Sequence, residues 1–194
     1  ALPQDFEFRG EKSELVIGNN NVIRENVVIN RATHRGGKTV IGNDNFLMEG
    51  VHISHDTKIA NNCVFGYGTK IAGDCIIEDG AIFSTGVVGN AGSRVGTSAM
   101  IQASTTFSKD VPPYIIAGGI PVKYGGVNTT VLTMAGVSEK VQKHLANAYR
   151  LVFHGQNSVI DAIEQVREQV PDSPEIQHLI DFIQNTKNGI ITKL

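Results

Sequence analysis

Hydrophobic residues recur at every sixth position through the first half of the chain. The series holds sixteen positions from Ile17 to Phe107, and fourteen of them are apolar, with Arg35 and Gly89 as the exceptions. Four residues after each position stands a small or β-branched residue. A period of six fits neither the 3.6-residue period of a helix nor the simple alternation of a strand. The pattern predicts a parallel β-helix built from hexapeptides, each supplying one short strand and one corner.

The same period predicts how the coils stack and where the repeat stops. Three hexads would close one triangular coil, so residues roughly eighteen apart would lie about 4.8 Å from each other in adjacent coils. We expect the repeat region to cover residues 1–114, because Pro112 and Pro113 cannot donate hydrogen bonds to a sheet. Two polar stretches, near residues 1–14 and 31–39, are predicted to leave the coil as excursion loops.

Beyond residue 114 the spacing of apolar residues changes. Residues 115–130 are rich in glycine and are predicted to form a connector. Apolar residues then recur with helical spacing in three stretches that begin near Ser138, Val159 and Ile176. Ser138 is a residue type that caps helix N-termini. The fold predicted is therefore mainly β with α: a parallel β-helix followed by a C-terminal α-helical domain at residues 131–194.

Net charge, the lack of long apolar runs and the cysteine content exclude several classes of function. Lys and Arg total 17 against 19 Asp and Glu, a formal net charge of −2, which argues against a non-specific nucleic-acid partner. No apolar run approaches the roughly 20 residues of a transmembrane segment, and the start shows no secretory signal. Cys63 and Cys75 form no disulfide framework and fall in the small interior column of the repeat. We expect a cytoplasmic protein.

Stacking of the hexads brings several reactive side chains to one edge. His55 would stack beside Gly73, Asp56 beside Asp74, and His52 beside Lys70. A neutral histidine is the natural general base near pH 7, and a neighbouring carboxylate can orient its ring. A glycine N–H is free of side-chain obstruction and can stabilise an oxyanion. These parts suit acyl transfer, while the alternative is that both histidines are solvated turn residues.

A metal site is a second alternative at this edge. His52 and His55 are spaced as His-x-x-His, and acidic residues lie nearby. A catalytic zinc ion needs three protein ligands and an open position, and the sequence offers no clear third ligand. We therefore predict no metal and no cofactor.

Several segments taken together resemble the UDP-N-acetylglucosamine O-acyltransferases that begin lipid A biosynthesis, a family of hexapeptide-repeat acyltransferases. The most specific are the His-x-x-His-Asp segment and the proline-tyrosine segment in register with it. The matching segments are Pro3-Gln4-Asp5-Phe6, Asn45-Phe46-Leu47-Met48, His52-Ile53-Ser54-His55-Asp56, Asp110-Val111-Pro112-Pro113-Tyr114, Gly126-Val127-Asn128 and Ala148-Tyr149-Arg150-Leu151.

The resemblance implies a left-handed β-helix and a homotrimer with active sites in grooves between subunits. It implies an acyl or hydroxyacyl chain moving from acyl carrier protein to the 3-hydroxyl of a UDP-sugar acceptor, UDP-N-acetylglucosamine. His55 would be the general base, Asp56 the acidic residue beside it, and Gly73 the backbone donor to the oxyanion. Positions assigned to substrate binding are Asp5, His52, Asp74, Asn128, Met48 and Ser104, of which Ser104 is the nearest match to the residue that limits acyl-chain length.

The chain also departs from the family pattern, and it is shorter at its amino-terminal end. Glu7 replaces a lysine and would repel a diphosphate. Asp74 and Asn90 stand in place of histidines, and the acid and paired arginines that hold the nucleotide become Thr130, Met134 and Ala135. Two other functions therefore stay open: an acyl- or acetyltransferase acting on a different acceptor, and a non-catalytic trimeric paralogue.

Overall fold

The computed structural model describes residues 1–155 and 158–192, so residues 156–157 and 193–194 of the expected helical domain lie outside it. The described part begins with a series of very short strands and ends with helices. In chain order the strands are β1 (Glu14–Ile17), β2 (Val22–Ile23), β3 (Val28–Ile29), β4 (Lys38–Ile41), β5 (Phe46–Leu47), β6 (His52–Ile53), β7 (Lys58–Ile59), β8 (Val64–Phe65), β9 (Lys70–Ile71), β10 (Ile76–Ile77), β11 (Ile82–Phe83), β12 (Val88–Gly89), β13 (Arg94–Val95), β14 (Met100–Ile101), β15 (Thr106–Phe107), β16 (Ile115–Gly118) and β17 (Lys123–Val127). The helices are α1 (Thr129–Met134), α2 (Glu139–His154), α3 (Val159–Gln169) and α4 (Pro174–Gln184).

The strands β1–β15 wind into three parallel sheets, one along each side of a triangular prism. Sheet 1 has the order β1-β4-β7-β10-β13, sheet 2 runs β2-β5-β8-β11-β14 and continues into β16 and β17, and sheet 3 has the order β3-β6-β9-β12-β15. From β4 to β15, paired residues are separated in sequence by the length of one coil, which is three hexads, as in the pair His52 and Lys70. The parallel β-helix predicted from the hexad period is confirmed.

The first coil is longer than the others by one hexad. Ile17 pairs with Ile41, and Ile29 pairs with Ile53, whereas Ile53 pairs with Ile71. The extra length forms a loop at residues 30–37, because Lys38 and Thr39 already belong to β4. This loop projects at the corner where sheet 3 leads into sheet 1.

The prism core is filled by two stacked columns of side chains. The apolar members of the large column are buried from Ile29 to Phe107, whereas Ile17 and Ile23 in the first coil are 42% and 43% exposed. Phe65 stacks on Phe83 with ring centroids 4.7 Å apart. The small column contains both cysteines, which are buried free thiols. Burial raises the pKa of Cys63 to about 12 and that of Cys75 to about 11, so neither is a nucleophile near neutral pH.

The segment expected to be a connector contains two strands that the sequence did not reveal. β16 adds to sheet 2 in parallel with β14, and β17 returns antiparallel to β16. Glycines obscured this hairpin, because glycine is depleted in strands and rarely signals one. The helices then follow as predicted, and the Ser138 hydroxyl caps α2 by accepting the N–H of Val141. None of the described helices is long and apolar enough to cross a bilayer.

The helices dock on the last coils through specific polar contacts. The Tyr149 hydroxyl, buried in α2, donates to the Pro113 carbonyl at 2.6 Å. On α4, His178 Nε2 lies 2.7 Å from Glu78 Oε2, at the corner after β10. The Arg94 guanidinium lies 4.1 Å from the centre of the Phe182 ring. Helices and prism therefore share one interface.

From the His178–Glu78 contact we expect the docking of α4 to depend on pH. The hydrogen bond with Glu78 raises the pKa of His178. Burial opposes ionisation of Glu78, but the hydrogen bond from His178 lowers its pKa. A histidine pKa raised in the folded state stabilises the fold fully below the unfolded pKa of about 6.5 and loses that effect as pH rises through the folded pKa. The carboxylate contribution is present above about pH 4.5 and is lost at lower pH.

We expect His178→Gln to destabilise the protein more at pH 5.5 than at pH 8.5. Urea unfolding of the variant and the wild-type protein at both pH values measures the difference. His154→Gln, on the exposed side of α2, is the control for loss of a histidine and should show a smaller difference between the two pH values than His178→Gln. An equal loss of stability at both pH values would mean that the ion pair does not form in solution.

Candidate active site

His55 lies in the corner between sheet 3 and sheet 1, two residues after β6 ends. Its side chain is 16% exposed, and Nδ1 lies 2.9 Å from Oδ2 of Asp56. Asp56 has a φ of 58°, a left-handed conformation that aspartate tolerates better than most residues. An ionised carboxylate only accepts hydrogen bonds, so the imidazole proton sits on Nδ1 and Nε2 is left as the basic atom.

The charge of Asp56 is maintained by its neighbours. Burial disfavours the carboxylate, but hydrogen bonds from Thr33 and then from His55 hold the pKa of Asp56 below its usual value. Asp56 is therefore an anion at neutral pH and can stabilise an imidazolium formed at His55.

Gly73 lies directly against the imidazole, one coil further along. A Cβ at this position would lie 2.4 Å from Cε1 and 2.7 Å from Nε2 of His55, so only glycine allows the ring its place. Among the described residues, the Gly73 N–H has no hydrogen-bond partner. A free N–H beside a basic nitrogen can stabilise an oxyanion that forms there.

Asp5 reaches the same imidazole from the amino-terminal segment. Its Oδ2 lies 3.9 Å from His55 Nε2, and its Oδ1 accepts the N–H of Glu7 at 2.8 Å.

His52 lies on the outer face of β6 and is half-buried. Burial and then the charge of Lys70 lower its pKa. His52 is therefore neutral near pH 7 and can exchange hydrogen bonds with a hydroxyl group.

A groove runs beside these residues between the amino-terminal segment and the 30–37 loop. Its volume is about 330 Å³, and it brings charges of both signs next to Asp5. The lining residues are Asp5, Glu7, Phe8, Glu11, Thr33, His34 and Arg35.

The structure groups different possible metal ligands from those that the sequence offered. Ligand atoms of His34, Asp56 and Asp74 lie within 4.8 Å of one another in the described part of the chain. His34 and Asp74 are exposed, and Asp56 Oδ2 already accepts hydrogen bonds from Thr33 and His55. The group therefore consists of one carboxylate that already accepts hydrogen bonds from the protein and two side chains exposed to solvent. Such a group makes a poor metal site.

Three of the predicted binding residues lie away from His55 in a single chain. Met48 and Ser104 are at the corner between sheet 2 and sheet 3. Asn128 is buried near the corner between sheet 1 and sheet 2, where its side-chain amide donates to the Ser98 carbonyl at 3.0 Å. One subunit therefore brings together His55, Asp56, Gly73, Asp5, His52 and Asp74, but not these three.

Sequence reasoning missed two residues of the site, Thr33 and Gly37, both in the 30–37 loop. Thr33 donates two hydrogen bonds to Asp56, and Gly37 lies against the other carboxylate oxygen. The one available signal was that Thr33 continues the small column of the repeat in an otherwise polar stretch. A period cannot tell what a loop touches, so this signal did not identify the contact.

Comparisons with known proteins cover most of the chain. The family model described as Udp N-acetylglucosamine O-acyltransferase; Domain 2 matches residues 110–191. The model described as bacterial transferase hexapeptide (six repeats) matches residues 38–73. The two matches lie in the helical half and in the prism, respectively.

Individual relatives share this likeness in sequence and in fold. An acyl-[acyl-carrier-protein]--UDP-N-acetylglucosamine O-acyltransferase of Thermodesulfovibrio yellowstonii is 40% identical over 189 residues, which cover 97% of this chain and 73% of that protein. The enzyme of the same name from Nautilia profundicola is 36% identical over 189 residues, with the same coverage of 97% and 73%. The crystal structure of a UDP-N-acetylglucosamine acyltransferase from Bacteroides fragilis superimposes with a TM-score of 0.97 at 49% identity, covering 98% of this chain and 75% of that one.

Proposed function

Because the chain belongs to the family of UDP-N-acetylglucosamine O-acyltransferases, we propose that His55 is the general base of an acyl transfer to the sugar 3-hydroxyl. The resemblance identified from the His52–Asp56 segment is confirmed, and the chain is an O-acyltransferase of this family. The donor is an acyl or hydroxyacyl thioester of acyl carrier protein, and the acceptor is UDP-N-acetylglucosamine. The product is the 3-O-acyl sugar nucleotide that begins lipid A biosynthesis.

The observation that carries this proposal is the arrangement around Nε2 of His55. Asp56 occupies Nδ1 at 2.9 Å, so Nε2 takes the proton as the hydroxyl oxygen attacks the thioester carbonyl. Charge develops on the carbonyl oxygen, where the free Gly73 N–H donates. Collapse of the tetrahedral intermediate breaks the carbon–sulfur bond, and the imidazolium returns its proton to the departing thiolate.

Asp5 and His52 are proposed to hold the sugar. The gap of 3.9 Å between Asp5 Oδ2 and His55 Nε2 leaves the carboxylate available to accept a hydrogen bond from a sugar hydroxyl. His52 is neutral and faces outward from the adjacent strand, so it can bond a second polar group. Asp74, exposed at the same corner one coil further along, has a carboxylate oxygen within 4.8 Å of ligand atoms of Asp56 and His34.

A homotrimer is proposed to complete the site. The outward side chains of sheet 2 form a continuous apolar row, while sheets 1 and 3 carry Lys58, Arg94, His52 and Lys70 on their outer faces. An apolar face of this length favours burial against another subunit. Met48 and Ser104, at one border of this face, would then reach a neighbouring His55 corner. The row is Val22, Phe46, Val64, Ile82, Met100 and Ile116.

We expect Ile82→Arg to convert the trimer into smaller species, because it buries a charge in the middle of that row. Light scattering after size exclusion measures the mass. Lys58→Glu on the exposed face of sheet 1 is the control and should remain trimeric. A wild-type protein that is monomeric at micromolar concentration would contradict the proposal.

A second candidate function is acyl transfer to an acceptor other than a UDP-sugar. It is suggested by the residues expected to bind the nucleotide. Thr130 and Met134 lie on α1, Met134 is 83% exposed, and neither carries a charge that could pair with a diphosphate. An acceptor without a nucleotide would not need such a pair.

The buried free thiols of Cys63 and Cys75 suit a reducing cytoplasm, where we place the reaction.

Acyl transfer followed by mass spectrometry tests the proposal. Purified protein is mixed with acyl and 3-hydroxyacyl carrier proteins of graded chain length and with either UDP-N-acetylglucosamine or free N-acetylglucosamine. Acylation of the nucleotide sugar is the expected result. Acylation of the free sugar alone would favour the second candidate, and no product with any donor from a folded trimer would favour a non-catalytic paralogue.

A further inference from the structure

The 30–37 loop closes over the carboxylate of Asp56. Thr33, which is 7% exposed, donates its hydroxyl to Asp56 Oδ2 at 2.7 Å and its backbone N–H to the same oxygen at 3.0 Å. That oxygen is also the one 2.9 Å from His55 Nδ1. Three donors therefore meet at a single carboxylate oxygen, and two of them come from one residue of the loop.

The loop also restricts the other oxygen of the same carboxylate. A Cβ at Gly37 would lie 3.3 Å from Asp56 Oδ1 and 3.1 Å from the Cβ of Ala32, so the loop backbone already approaches Oδ1 closely. On the far side of Thr33, its Oγ lies 3.1 Å from Nδ1 of His34. Since the Thr33 hydroxyl proton is directed at Asp56, Oγ accepts from His34. The hydrogen bonds run His34–Thr33–Asp56–His55.

Backbone hydrogen bonds fix the position of the loop. Gly36 donates to the Lys12 carbonyl at 2.8 Å, Gly37 accepts from Glu14 at 2.9 Å, and Arg31 donates to the Ala1 carbonyl at 3.0 Å. The amino-terminal segment that carries Asp5 thus supports the loop that carries Thr33.

We propose that Thr33 is a positioning residue for the transfer reaction, acting through Asp56 on the orientation of the His55 imidazole. This inference rests on the proposed function of His55. A carboxylate held by His55 alone could rotate about its terminal torsion, which has a broad energy minimum. The Thr33 hydroxyl and backbone N–H together restrict that rotation, and a base displaced by even a fraction of an ångström transfers protons more slowly.

The test compares Thr33→Val, which keeps the shape and loses the hydroxyl, with Thr33→Ser, which keeps the hydroxyl. We expect Thr33→Val to lower kcat about tenfold with little change in the acceptor KM, because Thr33 acts on the base rather than on bound substrate. Thr33→Ser should recover most of the rate. Thr69→Val is the matched control, since Thr69 is also buried and its hydroxyl donates only to the Ser84 carbonyl at 3.2 Å; it should leave kcat unchanged.

A double-mutant cycle separates positioning from loop stability. In an Asp56→Ala background, Thr33→Val should cause no further loss of kcat, since the residue through which it acts is gone. An equal loss in both backgrounds, a rise in KM at constant kcat, or no recovery with serine would each overturn the inference.

A spectroscopic measurement keeps this inference distinguishable from the proposed function. The hydrogen-bonded Nδ1 proton of His55 should give a downfield proton NMR signal that is absent in His55→Gln. We expect Thr33→Val, but not Thr69→Val, to broaden or shift that signal. A changed signal in a protein without acyl transfer would support the positioning role while refuting the function, and an unchanged signal would overturn the positioning role.

Discussion

Replacement of His55 by alanine should lower kcat by about 10²- to 10⁴-fold, the usual contribution of a general base. The His55 imidazole has its Nδ1 held 2.9 Å from a carboxylate, while its Nε2 makes no hydrogen bond with any described residue. Asp5 lies 3.9 Å from Nε2 but is a weaker base, so it can replace little of the lost function.

Single-turnover acyl transfer with a saturating donor is the measurement, because it reports the chemical step without product release. His154→Ala, on an exposed helix surface, is the control for loss of a histidine as such and should keep its rate. Thermal unfolding of both variants should resemble that of the wild type. A His55→Ala protein that is folded and within threefold of the wild-type rate, on the order of the experimental scatter, would require another base.

Replacement of Gly73 by alanine should lower kcat by about 10²- to 10³-fold, as large as the loss of an oxyanion-hole donor. The added Cβ would lie 2.4 Å from Cε1 of His55, far inside van der Waals contact, so the ring must leave its place. A ring displaced by that methyl group no longer lies beside the Gly73 N–H. Base and oxyanion donor can therefore no longer act on one substrate together.

The chain provides its own control for this substitution. Ala91 stands one coil beyond Gly73 at the equivalent corner and is exposed, so the corner backbone accepts a Cβ. Gly73→Ala should thus fold normally, and Ala91→Gly should keep wild-type kcat. In a His55→Ala background the clash is absent, so Gly73→Ala should cost no stability there. A Gly73→Ala enzyme with full activity would mean that the position of the His55 ring against Gly73 does not matter for the reaction.

The parts of the molecule that follow a period could be predicted from the sequence. The contact between His55 and Gly73 came from arithmetic on the hexads, because stacking in a β-helix is set by the repeat itself. The three long helices came from apolar spacing and from caps such as Ser138. The β16–β17 hairpin was missed because it has neither the hexad period nor ordinary strand composition.

The first coil shows why a correct period can still mislead about stacking. The loop at residues 30–37 adds one hexad, so the apolar series from Ile17 to Phe107 keeps its phase while the partner of Ile17 changes to Ile41. The position of Asp5 near His55 came only from the family resemblance, since no repeat governs the amino-terminal segment. Thr33 could not be found either way, because a contact from a loop to a corner depends on how the loop folds.

The 30–37 loop contributes to the site but is not needed for the phase of the repeat. Because the insertion equals one hexad, a chain lacking six residues there would still direct every later side chain inward or outward as before, and its coils could close as a regular prism. Such a prism would retain the imidazole, its carboxylate and the glycine, but the carboxylate would lose both hydrogen bonds from Thr33. The repeat therefore sets where the three groups lie, and the inserted hexad supplies the two hydrogen bonds from Thr33 that hold the carboxylate.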